Sequence, residues 1–239
     1  MIGFMLLLGF ALPAMAGDDE TAAHSAMLAQ GLQAYEQRNF PRAWRILSLL
    51  AEQGVTEAQR KLGVMYRHGL GVTKNDARAI YWYRRAAEQG HVLAQNSLGI
   101  MYRFGLGVQR DSAEAVRWLS AAAEQGLAKA QENLGLMYLG GEVQPKVGEA
   151  QKQALYWLQR AAQQNQARAQ LALGLSYLAG RGVAQDATQG MVWIRRAAEQ
   201  GVQRAQLALA EAYAAGLYGL PKDAAQARLW FERAGQPMH

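Results

Sequence analysis

The sequence predicts an all-α solenoid of antiparallel helix pairs, and three observations carry that prediction. The pair Ala-Gln recurs at Ala58-Gln59, Ala94-Gln95, Ala130-Gln131, Ala169-Gln170 and Ala205-Gln206, in steps of 36, 36, 39 and 36 residues. A tyrosine follows each pair, at Tyr66, Tyr102, Tyr138, Tyr177 and Tyr213, and a tryptophan follows each tyrosine, at Trp82, Trp118, Trp157, Trp193 and Trp230. The strings LGVMYRHGLGV at 62–72 and LGIMYRFGLGV at 98–108 are nearly the same residues one step apart. Copies in register at such a period describe a stack of like helical units, each burying an apolar face against the next.

Each repeat reads as two helices. The first carries apolar residues at three- and four-residue spacing, as in Ala58, Leu62, Met65 and Tyr66. The second starts after Asn75, Asp111, Asp186 or Asp223, whose side chains can accept hydrogen bonds from a helix's first free N–H groups. Glu114, Gln189 and Gln226 stand three residues beyond the last three of these and predict reciprocal capping boxes. The same helix stops at Gly90, Gly126 and Gly201, with Asn165 in the third repeat, where a left-handed residue is expected. Between the helices, Gly69 and Gly71, Gly105 and Gly107, and Gly180 and Gly182 predict positive φ in a tight return. A phosphate-cradling loop is the sharper alternative, but no strand precedes these glycines and no G-x-x-x-x-G-K-[ST] is present.

These signals divide the chain into residues 17–54, a shortened helix pair, and repeats at 55–90, 91–126, 127–165, 166–201 and 202–235, with a tail at 236–239. In the first pair Asn39, Ala43, Ala51 and Gly54 keep the offsets of Asn75, Ala79, Ala87 and Gly90. The third repeat is irregular: its connection, GGEVQPKVGEAQ, is three residues longer and has Ala150 where a capping Asp or Asn is expected.

The first sixteen residues, MIGFMLLLGFALPAMA, form an apolar run ending in Ala14-Met15-Ala16, the pattern of a signal-peptidase site. Cleavage before Gly17 and a periplasmic or secreted protein are expected. The run is shorter than the roughly 20 residues that span a bilayer, so no stable membrane span is expected after cleavage. The 25 basic and 19 acidic residues all lie beyond this leader, scattered without a basic run, and export argues against a nucleic-acid partner. With no cysteine there is no disulfide, lipid-attachment thiol or Cys-based metal site.

Nothing in the sequence points to catalysis, a cofactor or a metal. There is no S-x-x-K, G-x-S-x-G or H-E-x-x-H motif, and His24, His68, His91 and His239 fall at unrelated places in the period. The recurring Glu52, Glu88, Glu124 and Glu199 could suggest paired carboxylates, but each sits two residues before a helix-ending Gly and beside the next repeat's first helix. An inter-repeat structural role fits that place better. The tryptophans, all at one offset, read as the seam between helix pairs, with Met65, Met101 and Met137 filling the same interior.

The A-Q pair, L-G-x-M-Y, G-x-G-V, Asp cap, Trp and the RRAAEQG closure at 84–90 and 195–201 together resemble the Sel-one-like repeat family, related to tetratricopeptide repeats, from about Thr56 to Gly235. The resemblance implies a right-handed superhelix whose members mostly serve as adaptors, and bacterial members are often exported. Cysteine-rich exported members are linked to cell-wall precursors or β-lactams, a role that the absence of cysteine here argues against. It also implies that the first helix of each pair lines a concave groove. Carrying the offsets over gives Arg60, Val64, Arg67, His68, Asn96, Ile100 and Arg103 in one half, and Lys129, Leu136, Leu139, Leu171, Leu175, Leu178 and Glu211 in the other. The expected partner is a peptide or protein whose acidic residues meet a ladder of Arg67 and Arg103 and whose apolar residues reach the leucines. A cell-envelope glycan is the alternative, and needs positive charge and exposed aromatics together.

Overall fold

The structure is a computed structural model that describes residues 15–143 and 149–236. The apolar stretch of the expected leader (1–14), part of the long third connection (144–148) and the end of the tail with His239 lie outside the described residues. The described residues form an all-α solenoid of twelve helices without a strand. The chain divides into two compact bodies, Met1–Arg85 and Ala86–His239.

The first body holds α1 (Met15–Glu36), α2 (Phe40–Glu52), α3 (Thr56–His68) and most of α4 (Asp76–Glu88). Asn39 caps α2, its side chain accepting from the Arg42 amide at 3.3 Å, and Pro41 takes a first-turn place where no N–H is needed. The interior is Ala43, Leu47, Leu50, Ala58, Leu62 and Met65, all essentially sealed from solvent. Gly63 shows why Gly follows Leu in the repeat: a Cβ there would stand 2.6 Å from the Tyr83 ring of α4. Only a residue without a side chain lets the two helices approach so closely.

The second body continues with α5 (Val92–Phe104), α6 (Ser112–Glu124), α7 (Ala128–Leu139), α8 (Glu149–Gln163), α9 (Ala167–Ala179), α10 (Ala187–Glu199), α11 (Gln203–Ala215) and α12 (Ala224–Arg233). Each helix packs on its chain neighbour, and α7 also touches α9, so the first helices of the third and fourth repeats stand side by side. Trp118, Trp157 and Trp230 are buried in this body, as Trp82 is in the first, while Trp193 is half-buried. The column is therefore an interior seam rather than a stacking face.

The predicted glycines take positive φ, as do Asn165 and the returns of the G-x-G pairs. The predicted caps also form, with side chains of Asn75, Asp111, Asp186 and Asp223 accepting first-turn amides at 2.9–3.0 Å. The reciprocal half of the capping box does not. The backbone N–H of each cap residue is already donated to the tyrosine carbonyl of the preceding helix, from Asn75 to Tyr66 at 2.8 Å and from Asp111, Asp186 and Asp223 to Tyr102, Tyr177 and Tyr213 at 2.9–3.0 Å. The Glu114 carboxylate accepts instead from Trp118 Nε1 at 2.9 Å and ties the seam to the helix surface.

The Ala-Gln pair now has a cause. Each alanine is fully buried at a helix crossing, and each glutamine amide donates back to a carbonyl at the end of the preceding repeat: Gln59 to Ala51, Gln95 to Ala87, Gln131 to Ala123, Gln170 to Ala162 and Gln206 to Ala198, at 3.0–3.2 Å. In the second body, Gln125, Gln164 and Gln200 donate in turn to the side-chain oxygens of Gln95, Gln131 and Gln170 at 2.7–2.8 Å. A buried amide must be satisfied at both ends, and this ladder does so while joining repeat to repeat. The buried inter-repeat contact expected of the recurring glutamates is thus made by glutamine, and of those glutamates only Glu52 shows an inter-repeat pair among the described residues. Glu88, Glu124 and Glu199 are exposed, and Glu52 makes an exposed 3.5 Å pair with Arg85.

Candidate partner-binding site

The first helices carry the candidate positions, and the two bodies use them differently. In α3, Arg60 lies along its own helix, its guanidinium donating to the Glu57 carboxylate at 2.6 and 2.8 Å. That hydrogen bond raises its pKa above the ordinary arginine value, against the opposing effect of burial. Val64 and Arg67 are half-buried and His68 is exposed. A pocket of about 390 Å³ in this body opens elsewhere, between Trp44, Tyr66 and Arg78.

In the second body the polar candidates are satisfied internally. Asn96 of α5 accepts from Asn133 of α7 at 3.4 Å, and Ile100 is half-buried. Arg103 makes a two-pronged pair with Glu142, which the third connection brings back beneath it, and Arg110 approaches the same carboxylate at 3.7 Å. Its side chain keeps only 12% of its exposure. The guanidinium expected to face an acidic partner is thus held by an acid of its own chain.

Along α7 the character changes. Glu132, with 1% of its side chain exposed, is compensated by Lys129 at 2.6 Å and by Arg168 of α9 at 3.6 Å. Beyond it a pocket of about 440 Å³ opens, floored by Leu136 and Leu139 of α7 and Leu171 and Leu175 of α9. Arg168, Arg181 and Arg204 stand around it. Arg181 and Arg204 are exposed and have no acidic partner among the described residues. Leu178 is not at the pocket; it packs under α10, where a Cβ on Gly190 would stand 2.7 Å from it. Ser176 lines the pocket at the place that Met65, Met101 and Met137 fill in the earlier repeats. A shorter side chain at this place leaves volume unfilled. A second depression shares Leu139 and Arg181 and extends the surface to Lys152.

A family profile described as Sel1 repeat matches residues 56–91, 92–127, 128–166, 167–202 and 203–236. The chain belongs to the Sel1 repeat family. Among solved structures, a Sel1 repeat protein from Oxalobacter formigenes is 36% identical, with a TM-score of 0.79 over 87% of this chain and 82% of that one. A protective antigen of uropathogenic Escherichia coli strains with an SLR fold is 33% identical with a TM-score of 0.82. That match covers 95% of this chain and 49% of the antigen, so the chain spans about half of that relative. An immunity protein from Pseudomonas aeruginosa, 18% identical with a TM-score of 0.54 over 89% of this chain and 80% of its own, shares the fold alone. No curated protein sequence matches.

Sel1 repeat arrays are commonly protein-interaction scaffolds and generally non-catalytic. In this array the pocket belongs to the third, fourth and fifth repeats. Sequence reasoning placed Leu136, Leu139, Leu171 and Leu175 on the groove-facing offsets but passed over Arg168, Arg181, Arg204 and Ser176. The signal for Ser176 was legible, since it breaks a run of methionines at one offset. Arg168 and Arg204 also share an offset, with Lys129 before them. They lie at helix starts, and the sequence reading counts that offset as groove-facing only at Lys129, not in the fourth and fifth repeats.

Proposed function

We propose that this Sel1 repeat protein is an exported adaptor that holds a polypeptide partner in the pocket of its second body. The observation that carries the reading is an open pocket floored by the partly exposed Leu136, Leu139 and Leu175 with Leu171 buried behind them, ringed by arginines of which two lack an acidic partner among the described residues. Exposed contiguous apolar surface beside unmatched charge is what a contact site presents. The support for export is the apolar run ending in Ala14-Met15-Ala16.

Affinity capture from an envelope extract, comparing the wild type with Leu175→Asp, tests the first half. A protein retained by the wild type and lost by the variant is expected; equal retention by both overturns the pocket as the binding site. Intact mass of the envelope-fraction protein tests the second half, with a chain beginning at Gly17 expected and one that retains Met1 fatal to export.

A second reading is an anionic envelope glycan on the outer face of the second helices. Tyr156 is 49% exposed there, with Arg160 stacked 5.2 Å over its ring, so aromatic surface and positive charge do coincide. Retention of the protein on purified peptidoglycan that is lost in Tyr156→Ala would favour this reading.

A further inference from the structure

The reading of the pocket as a partner site leaves the partner's chemistry open, and the placement of the cations narrows it. Arg168 and Arg204 each take the second position of a helix, α9 and α11, where unpaired first-turn N–H groups add to the positive potential. Arg181 follows Arg168 by 13 residues and lies just past the other end of α9. At roughly 1.5 Å per residue, about 20 Å of helix separates them. Leu171 and Leu175 occupy the interval, faced by Leu136 and Leu139. Each end of the pocket therefore has one arginine with no acid of its own, Arg204 at one and Arg181 at the other, and Lys152 stands beside Arg181 in the adjoining depression.

We infer that the occupant is a polypeptide segment with carboxylates on both sides of a bulky apolar residue, lying along α9. An extended chain advances about 3.3 Å per residue and covers this span in roughly six residues. The inward reach of the arginines shortens the interval between its acids to about four. A fatty acid or other single-headed amphiphile matches the leucine floor but only one of the two charged ends. The apolar residue seats over Ser176, in the volume that a methionine fills in the earlier repeats.

Fluorescence anisotropy with labelled, amidated peptides tests this inference. One probe is Glu-Asp-Ala-Phe-Leu-Ala-Asp-Glu; its controls carry Gln-Asn in place of the acids at one end or the other. The expected result is saturable binding of the two-ended probe, with a loss of at least about fivefold for either control and for either Arg181→Gln or Arg204→Gln. Ser176→Met, which restores the side chain of the earlier repeats, should abolish binding without lowering thermal stability. Equal affinity for the one-ended and two-ended probes, or displacement of the probe by laurate with no effect of Arg181→Gln, overturns the inference in favour of a single-headed ligand. If no probe binds while the Leu175→Asp-sensitive capture persists, the adaptor reading stands and the acid–apolar–acid pattern falls. Loss of both overturns both.

Discussion

Helices α5 and α9 occupy the same place in the second and fourth repeats, yet they present opposite surfaces. Asn96, Ile100 and Arg103 of α5 correspond to Leu171, Leu175 and Leu178 of α9. Behind these faces the two helices are built alike: Ala94 and Ala169 are fully buried, Leu98 and Leu173 nearly so, and Gly99 and Gly174 each admit the facing helix to within 2.7 Å of a would-be Cβ. On α5 the polar groups are consumed by Asn133 and Glu142, whereas on α9 Leu171 and Leu175 line an open pocket and only Leu178 is covered, by α10. A repeat scaffold can thus hold its backbone constant while a few outward side chains decide which stretch is closed and which is available.

The largest effect that sharpens this comparison lies in the seam. Trp118 is buried and anchored by Glu114, while its counterpart Trp193 is half-buried. Trp118→Ala should cost about 3–5 kcal/mol in chemical denaturation, and Trp193→Ala at least about 1 kcal/mol less. Because stability in such an array is close to a sum over neighbours, the Trp118 variant should also broaden or split the transition. Equal losses would break the claim that the second repeat is the more tightly closed.

The next effect concerns Arg103. Removing it leaves Glu142 partly buried with only the more distant Arg110, so Arg103→Ala should cost about 1–3 kcal/mol of stability by thermal unfolding. Arg181→Ala, which breaks no pair, should stay within about 0.5 kcal/mol by the same measurement. A similar loss in both variants would mean that Arg181 is engaged as Arg103 is.

Smaller again is the amide ladder, where the two repeats should agree. Gln125→Ala and Gln200→Ala each remove a donor to a buried glutamine and should cost about 1 kcal/mol apiece, read from denaturant midpoints at unchanged slope. At the bottom of the scale, Glu124→Gln and Glu199→Gln alter exposed carboxylates and should move the midpoint by no more than about 0.5 kcal/mol. A larger shift would restore the inter-repeat role to the glutamates.

Much of the fold was legible because its causes are local. Caps such as Asp111, helix ends such as Gly126 and the G-x-G returns act within a few residues of themselves, and a side chain at one offset repeats its environment wherever the neighbours repeat. The capping boxes were misread because the competing acceptor, a tyrosine carbonyl nine or ten residues earlier, becomes available only once the return has folded. The candidate site was legible in its leucines and not in its arginines. Apolar residues at an outward offset announce themselves, whereas a charge does not disclose whether an acid waits for it.

By itself the sequence determined the period, the helix pairs, their caps and the buried Ala, Leu, Gly and Trp positions, since these follow from periodicity and from sterics that every repeat shares. Only the tertiary structure decided which outward groups are free. Arg103 is closed by Glu142, 39 residues away, through a connection that departs from the repeat. The pocket above Ser176 is a volume that helices α7, α9 and α11 leave unfilled between them. Both depend on what distant segments bring to one point in space, where a charge is neutralised or a space is left open by a neighbour that no local pattern specifies.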